Sequence, residues 1–128
     1  MIKIGEVVTN DRIVKEFQCS PQGGMRRSLR TNTLVLVTKH TPDNIYADQW
    51  RDGVLDYVGM GREGDQSFDF GQNKTLLQSN TNNVKVHLFE VFEPQQYTYI
   101  GRVYLADKPR MEKQGGRMVC VFPLRVIQ

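Results

Sequence analysis

A chain of 128 residues holds one domain and a modest core. Its 39% hydrophobic and 24% charged residues, with six Phe, five Tyr and one Trp, exclude a disordered chain, and no apolar run approaches the roughly 20 residues a bilayer span needs. The formal charge of +3 and a pI near 9.0 only reach the basic balance usual for nucleic-acid-binding domains.

In chain order, MIKIGEVVTNDR has no apolar stretch and no small-residue cleavage site, so a signal peptide is not expected and a cytoplasmic protein is. Asp11 to Phe17 places Ile13, Val14 and Phe17 at helical spacing and predicts a short helix capped by Asn10 or Asp11. CSPQGGMRRS follows, and Pro21 with Gly23-Gly24 predicts a loop carrying two arginines. Thr33 to Lys39 is a β-branched run and predicts a strand. HTPDNIYADQWRDG reads as a long polar loop, Val54 to Val58 as a strand, and GMGREGDQ as the turn that ends it. Asn73 to Ser79 predicts one or two helical turns. Val84 to Phe92 begins with alternation and then runs apolar, which suits a bulged strand or one buried on both faces. Tyr97 to Leu105 is a strand broken by Gly101, a bulge or corner signal. Met118 to Val126 is the last strand, with Pro123 placing its far half at an edge. Five or six strands and two short helices predict an α+β fold, mainly β, built as a curved barrel in a single domain over residues 1–128.

Chemistry-bearing motifs are sparse. Cys19 and Cys120 stand far apart with only His40 and His87 available, which argues against a structural zinc site and for two reduced, buried thiols. No GxSxG, HExxH or phosphate-binding loop occurs. Gly59, Gly61 and Gly64 match a bare GxGxxG, but no helix pattern follows, so a turn is the stronger reading. His87 reads as a surface residue and His40 as one that ends a strand within reach of a phosphate. No catalytic group, cofactor or metal is expected; an enzyme using Asp48 or Glu63 as a base would need a second polar group that the sequence does not offer.

Charge is unevenly spread. Gln22 to Lys39 holds Arg26, Arg27, Arg30 and Lys39 and no acid, whereas Asp43 to Asp69 holds seven acids against Arg51 and Arg62. The GGMRRS loop suits a phosphate: glycines let backbone N–H groups approach and arginines supply the fork, so Gly24, Arg26, Arg27, Ser28 and Arg30 are the expected backbone contacts. Arg102, Arg110 and Arg117 are secondary candidates. Ile45 to Gly61 places Tyr46 in a loop, aspartates at 48, 52 and 56, and Tyr57 on a strand. Two aromatics on opposing segments make a slot for a flat ring, and a carboxylate there accepts from an exocyclic amine. The competing reading makes Tyr57 and Trp50 core residues and Asp48 and Asp52 turn formers.

The run TLVLVTKH…YADQWRDGVLDYVGMG, then GDQ at 64–66, NKTL at 73–76, YTYIG at 97–101 and FPL at 122–124, resembles the SRA/YDG (SET- and RING-associated) family in its short bacterial form, found beside HNH-type restriction endonucleases. The resemblance spans roughly residues 20 to 126. It implies a PUA-like β-barrel that binds duplex DNA and flips a modified cytosine, 5-methyl- or 5-hydroxymethylcytosine, into a pocket. By position, Tyr46 and Tyr57 would stack on the flipped base and Asp48 would hold its Watson–Crick edge. Val58 stands where the family usually has Thr, near the 5-substituent. The implied role is the non-catalytic specificity module of a modification-dependent restriction system, with any nuclease in another domain or chain. Most of the acidic segment would then face away from the duplex. The alternative is a PUA-like module that takes an unstacked RNA base or a modified nucleotide.

Overall fold

The computed structural model describes residues 1–42, 44 and 46–127. Asp43 of the acidic segment and Ile45, which opens the aromatic run, lie outside the described residues. In chain order come β1 (Val7–Val8), α1 (Asn10–Phe17), β2 (Met25–Ser28), β3 (Thr33–Lys39), β4 (Gln49–Arg51), β5 (Val54–Val58), α2 (Gln72–Leu77), β6 (Lys85–Glu93), β7 (Gln96–Leu105), β8 (Arg110–Gln114) and β9 (Arg117–Val126). The nine strands form one sheet in the order β2-β3-β6-β7-β9-β5-β4, with β1 on β7 and β8 on β9. All pairings are antiparallel except β3 with β6. Among the described residues the end strands β2 and β4 do not pair, so the sheet curls without closing. The fold is α+β and mainly β, as the sequence predicts.

Both faces of the central strands β3 and β6 are largely buried. Inside the curl, Leu34, Leu36, Leu55, Tyr57, Leu88, Val103, Phe122 and Leu124 pack with Leu76 of α2. On the outside, Val35, Val37, Phe89, Val91, Tyr97 and Tyr99 are covered by Ile13 and Phe17 of α1. Those two side chains stand four residues apart on one helix face and are each worth about 1.5–3 kcal/mol in burial. This double burial explains why β3 reads as an unbroken apolar run. It also corrects His87: Phe17 covers it at 4.7 Å between ring centroids, and its Nδ1 meets the Tyr99 hydroxyl at 2.7 Å. Burial pushes its pKa down to about 4.

Gly101 marks the expected bulge. Leu88 pairs with Gly101 and Phe89 with Tyr99, so Ile100 is an extra residue on β7. The extra residue reverses the alternation, turning Val103 and Leu105 to the inner core and Tyr97 and Tyr99 to the outer one. Gly101 has φ 127° there, which a side chain rarely tolerates.

Three other expectations change. The cap of α1 is Thr9, whose hydroxyl accepts from the Arg12 N–H; the Asn10 side chain is used instead by Pro21 and Arg26. The loop expected over GGMRRS becomes β2 from Met25 onward, because pairing with β3 satisfies its backbone groups. Pro123 is not at an edge: β9 passes there from β8, which pairs up to Val121, to β7, which pairs from Leu124, while β5 lies along its other side. Cys19 and Cys120 are buried and free.

Candidate functional site

The β4–β5 hairpin sets the site. Arg51 faces Val54 across a two-residue Asp52-Gly53 turn with φ 51° and 81°, the left-handed pair that suits strand twist. That register carries Tyr57 and Val58 along β5 to one wall of a cavity of about 640 Å³, within the range of small-ligand sites. The other wall comes from β2 and β3, through Gly24, Arg26, Val37 and Lys39. Tyr57 bridges the two. It is only 3% exposed, and its hydroxyl donates to the Gly24 carbonyl at 2.8 Å. A side chain at Gly24 would start 3.3 Å from that hydroxyl, so glycine keeps the approach open. Burial raises the Tyr57 phenol well above its ordinary pKa, which keeps it a donor.

Asp48 lines the same cavity. One carboxylate oxygen accepts from the Thr38 hydroxyl and the other from the Val58 N–H, both at 2.7 Å. Each oxygen keeps a further lone pair. Burial outweighs these bonds and pushes the Asp48 pKa up from 3.8 to about 6. Tyr46 lines the cavity as well and packs on Val58, Val119 and Val121, with its backbone held by the Asn44 side chain.

The Gly59–Gly64 turn supplies a lip, and buried amides hold it. Asn73 accepts from the Met60 N–H and donates to the Met60 and Ser67 carbonyls. Gln66 donates to the Gly59 and Gly61 carbonyls and accepts from the Cys120 N–H. Arg117 donates to the Gly61 and Gly64 carbonyls. The glycine motif is therefore a braced turn. Arg62 and Phe70 stand exposed at this lip.

Thus Tyr46, Asp48, Tyr57, Val58, Gly24 and Arg26 meet at one cavity. Of the three aspartates, Asp48 lines it, Asp52 makes the turn, and Asp56 bonds Arg51 and Arg110 beside a second cavity of about 310 Å³. Arg26 is 3% exposed, its Nε donating to the Gly23 carbonyl and its Nη1 to the Asn10 amide oxygen. Arg27 bonds the Ser28 and Thr33 carbonyls and Asn32, and Ser28 is buried under Thr31. Arg26, Arg27 and Ser28, expected at phosphates, thus have internal partners as well, whereas Arg30 and Arg102 are exposed. His40 bonds Glu90 instead of standing free, and Trp50 donates to the same carboxylate. The sequence carries no site signal for Thr38, Arg62, Phe70 or Glu90; Lys39 stands in the basic run, and Gln66 and Asn73 in the GDQ and NKTL motifs. Among the described residues no three His, Cys, Asp or Glu side chains gather to hold a metal ion. Among the described residues no helix is long and apolar enough to cross a membrane.

The curled sheet has the fold of SRA domains. The chain belongs to the family described as "ScoMcrA-like, SRA domain", which matches residues 4–128. No curated protein matches it in sequence. Among solved structures, the sulfur-binding and SRA domains of ScoMcrA in complex with phosphorothioated DNA superpose with a TM-score of 0.73 at 16% identity, covering 99% of this chain and 40% of that one. The SUVH5 SRA domain with hemi-methylated CG DNA gives 0.75 at 22% identity, covering 98% and 89%. ScoMcrA itself, a Type IV phosphorothioation-dependent restriction endonuclease, gives 0.74 at 16% identity, covering 99% of this chain and 25% of that chain. The chain therefore spans less than half of the ScoMcrA chains it matches.

Proposed function

We propose that this domain binds duplex DNA and reads a modified cytosine, 5-methyl- or 5-hydroxymethylcytosine, swung out of the stack into the cavity between β5 and the β2–β3 hairpin. The observation that carries the reading is one cavity lined by two tyrosines, a buried carboxylate and an apolar Val58. A flipped cytosine offers its N4 amine to a lone pair of Asp48, while Val58 gives the 5-substituent an apolar contact. Flipping costs a few kcal/mol, and stacking on an aromatic face returns about 1–3 kcal/mol. Phosphate contacts supply the rest. Lys39 at the end of β3 and Arg62 in the Gly59–Gly64 turn are exposed and line the cavity, and their side chains have no hydrogen-bond or ion-pair partner among the described residues. With exposed Arg30 they are better placed for phosphates than the internally bonded Arg26 and Arg27. The domain would serve as the specificity module of a modification-dependent restriction system, with cleavage by an HNH-type nuclease domain elsewhere.

Affinities for one duplex in five versions test this: unmodified, 5-methylcytosine, 5-hydroxymethylcytosine, phosphorothioate, and RNA of the same sequence. A preference for either modified cytosine is the expected result. Equal affinity for the four DNA versions rejects base readout, a phosphorothioate preference moves recognition to the backbone, and tighter RNA binding makes the domain an RNA module.

A further inference from the structure

Glu90 occupies an unusual place. Along β6, Val84, Val86 and Leu88 turn into the inner core, and Glu90 continues that face at the end of the curl. It is 8% exposed, so its carboxylate needs partners. Both come from one segment. The Trp50 indole N–H donates to Oε2 at 2.9 Å, and His40 Nε2 meets the same oxygen at 2.8 Å. His40 directly follows β3, and its backbone N–H donates to the Val91 carbonyl at 2.8 Å. Its ring also stacks on Phe92 with centroids 5.0 Å apart. Trp50 is the middle residue of β4. One carboxylate oxygen on a central strand therefore ties both ends of the segment that carries Tyr46 and Asp48. Glu90 itself does not line the cavity.

We propose that Glu90 is a positioning residue for base readout: by clasping His40 and Trp50 it fixes those two points, and with them the placement of Tyr46 and Asp48 at the cavity. The inference rests on the function proposed above but goes beyond it, because nothing in base recognition itself calls for a carboxylate at this place. Bonds to a buried carboxylate are of the stronger kind. Asp48 is held by its bonds from Thr38 and Val58, and Tyr46 by the Asn44 side chain, which donates to the Lys39 and Tyr46 carbonyls. These set the side chains locally; Glu90 sets the two points on either side of them.

Two variants test it. Glu90→Leu removes the acceptor, and Glu90→Gln keeps a carbonyl in its place. Two readouts serve: hydrogen exchange of the amides of residues 46–48 in the free protein, and the affinity ratio between modified and unmodified duplex. Trp50 is the chain's single tryptophan, so its emission reports the clasp directly. For Glu90→Leu, exchange at 46–48 should rise about tenfold or more, the affinity ratio should fall about tenfold, and Trp50 emission should shift to the red. Exchange in β7 should stay unchanged, which separates loss of the clasp from unfolding. Glu90→Gln should stay within about threefold of the parent on both measures. Wild-type exchange in Glu90→Leu, or equal damage in both variants, overturns the clasp. If the parent protein shows no preference between duplexes, base readout fails, and the exchange measurement still decides the clasp.

Discussion

Asp48 offers the sharpest test, because the same burial that makes it useful in a pocket opposes folding. Its carboxyl titrates near 6 in the folded protein against 3.8 ordinarily. At pH 7 the folded state holds an ion that burial disfavours, and the difference amounts to at most about 3 kcal/mol. Asp48 is partly accessible, so solvent screening lowers the expected figure to about 1–2 kcal/mol. Replacing it by Asn removes the charge and keeps the local bonds: the amide oxygen accepts the Val58 N–H and the amide nitrogen donates to the Thr38 hydroxyl. Asp48→Asn should therefore raise Tm by roughly 4–8 °C at pH 7. The sign follows from linkage. Because the folded-state pKa is raised, ionisation opposes folding above pH 6, and that opposition fades as pH falls through 6 and is gone below 3.8. The Tm advantage of the variant should shrink over the same window. Its base preference should vanish at every pH, since an amide N–H now faces the amine of cytosine. Thermal melts from pH 4 to 8, run beside duplex titrations, read both effects. An unchanged or lowered Tm at pH 7 would refute the electrostatic account; a stabilised variant that still prefers modified cytosine would refute the assignment of Asp48.

Further outcomes separate contacts with DNA from contacts within the protein. Lys39→Ala and Arg62→Ala should each weaken all duplexes alike and lower the slope of log affinity against log salt by about one, with Tm unchanged. Arg26→Ala should instead lower Tm by several degrees, because its buried fork ties α1 to β2 through Asn10 and Gly23; a changed salt slope with an unchanged Tm would return Arg26 to the DNA. Gly59→Ala should cost about 1–3 kcal/mol in denaturant unfolding, since a Cβ there would stand 2.5 Å from the Asn73 amide oxygen and 3.1 Å from the Phe122 ring; wild-type stability would show that the braced turn can shift.

What the sequence made legible follows from physical strength. β3 and β5 could be bounded to the residue, because β-branched runs are long-lived local signals and Gly53 and Gly59 frame β5. The bulge at Gly101 was legible because only a glycine fits φ 127° cheaply. β1, β2, β4 and β8 were not, because two to five residues paired on one side take their stability from the neighbouring strand rather than from their own pattern. His87 failed for a related reason: strand alternation says that it opposes Val86 and Leu88, but not that Phe17 of a distant helix covers that second face. At the site, Tyr46, Asp48 and Tyr57 were visible through motif order. The burial of Arg26 and the clasp on Glu90 join residues 16 and 50 positions apart, and no local pattern carries them.

An acidic segment stands against the DNA binding proposed above, and the structure accounts for part of it. Asp56 is held by Arg51 and Arg110. Asp65 accepts the Met118 N–H and so completes the pairing of the Gly59–Gly64 lip with β9. Asp48 is the one carboxylate among the described residues that line the larger cavity. That cavity has two exposed cations in its lining, Lys39 and Arg62, and an anion among its inner groups. Such a field favours a nucleotide that enters base first, with phosphates at the rim and a hydrogen-bond donor facing Asp48. Cytosine presents that donor at N4. Thymine presents the O4 acceptor, which meets ionised oxygen lone pairs and loses about 1–3 kcal/mol of discrimination. Thymine shares the 5-methyl group, so on the proposed reading Val58 alone would not separate it from 5-methylcytosine; the carboxylate would have to, and only while ionised. Selectivity against a flipped thymine should accordingly weaken as pH falls through about 6, whereas a cavity that read only the 5-methyl group would show no such dependence.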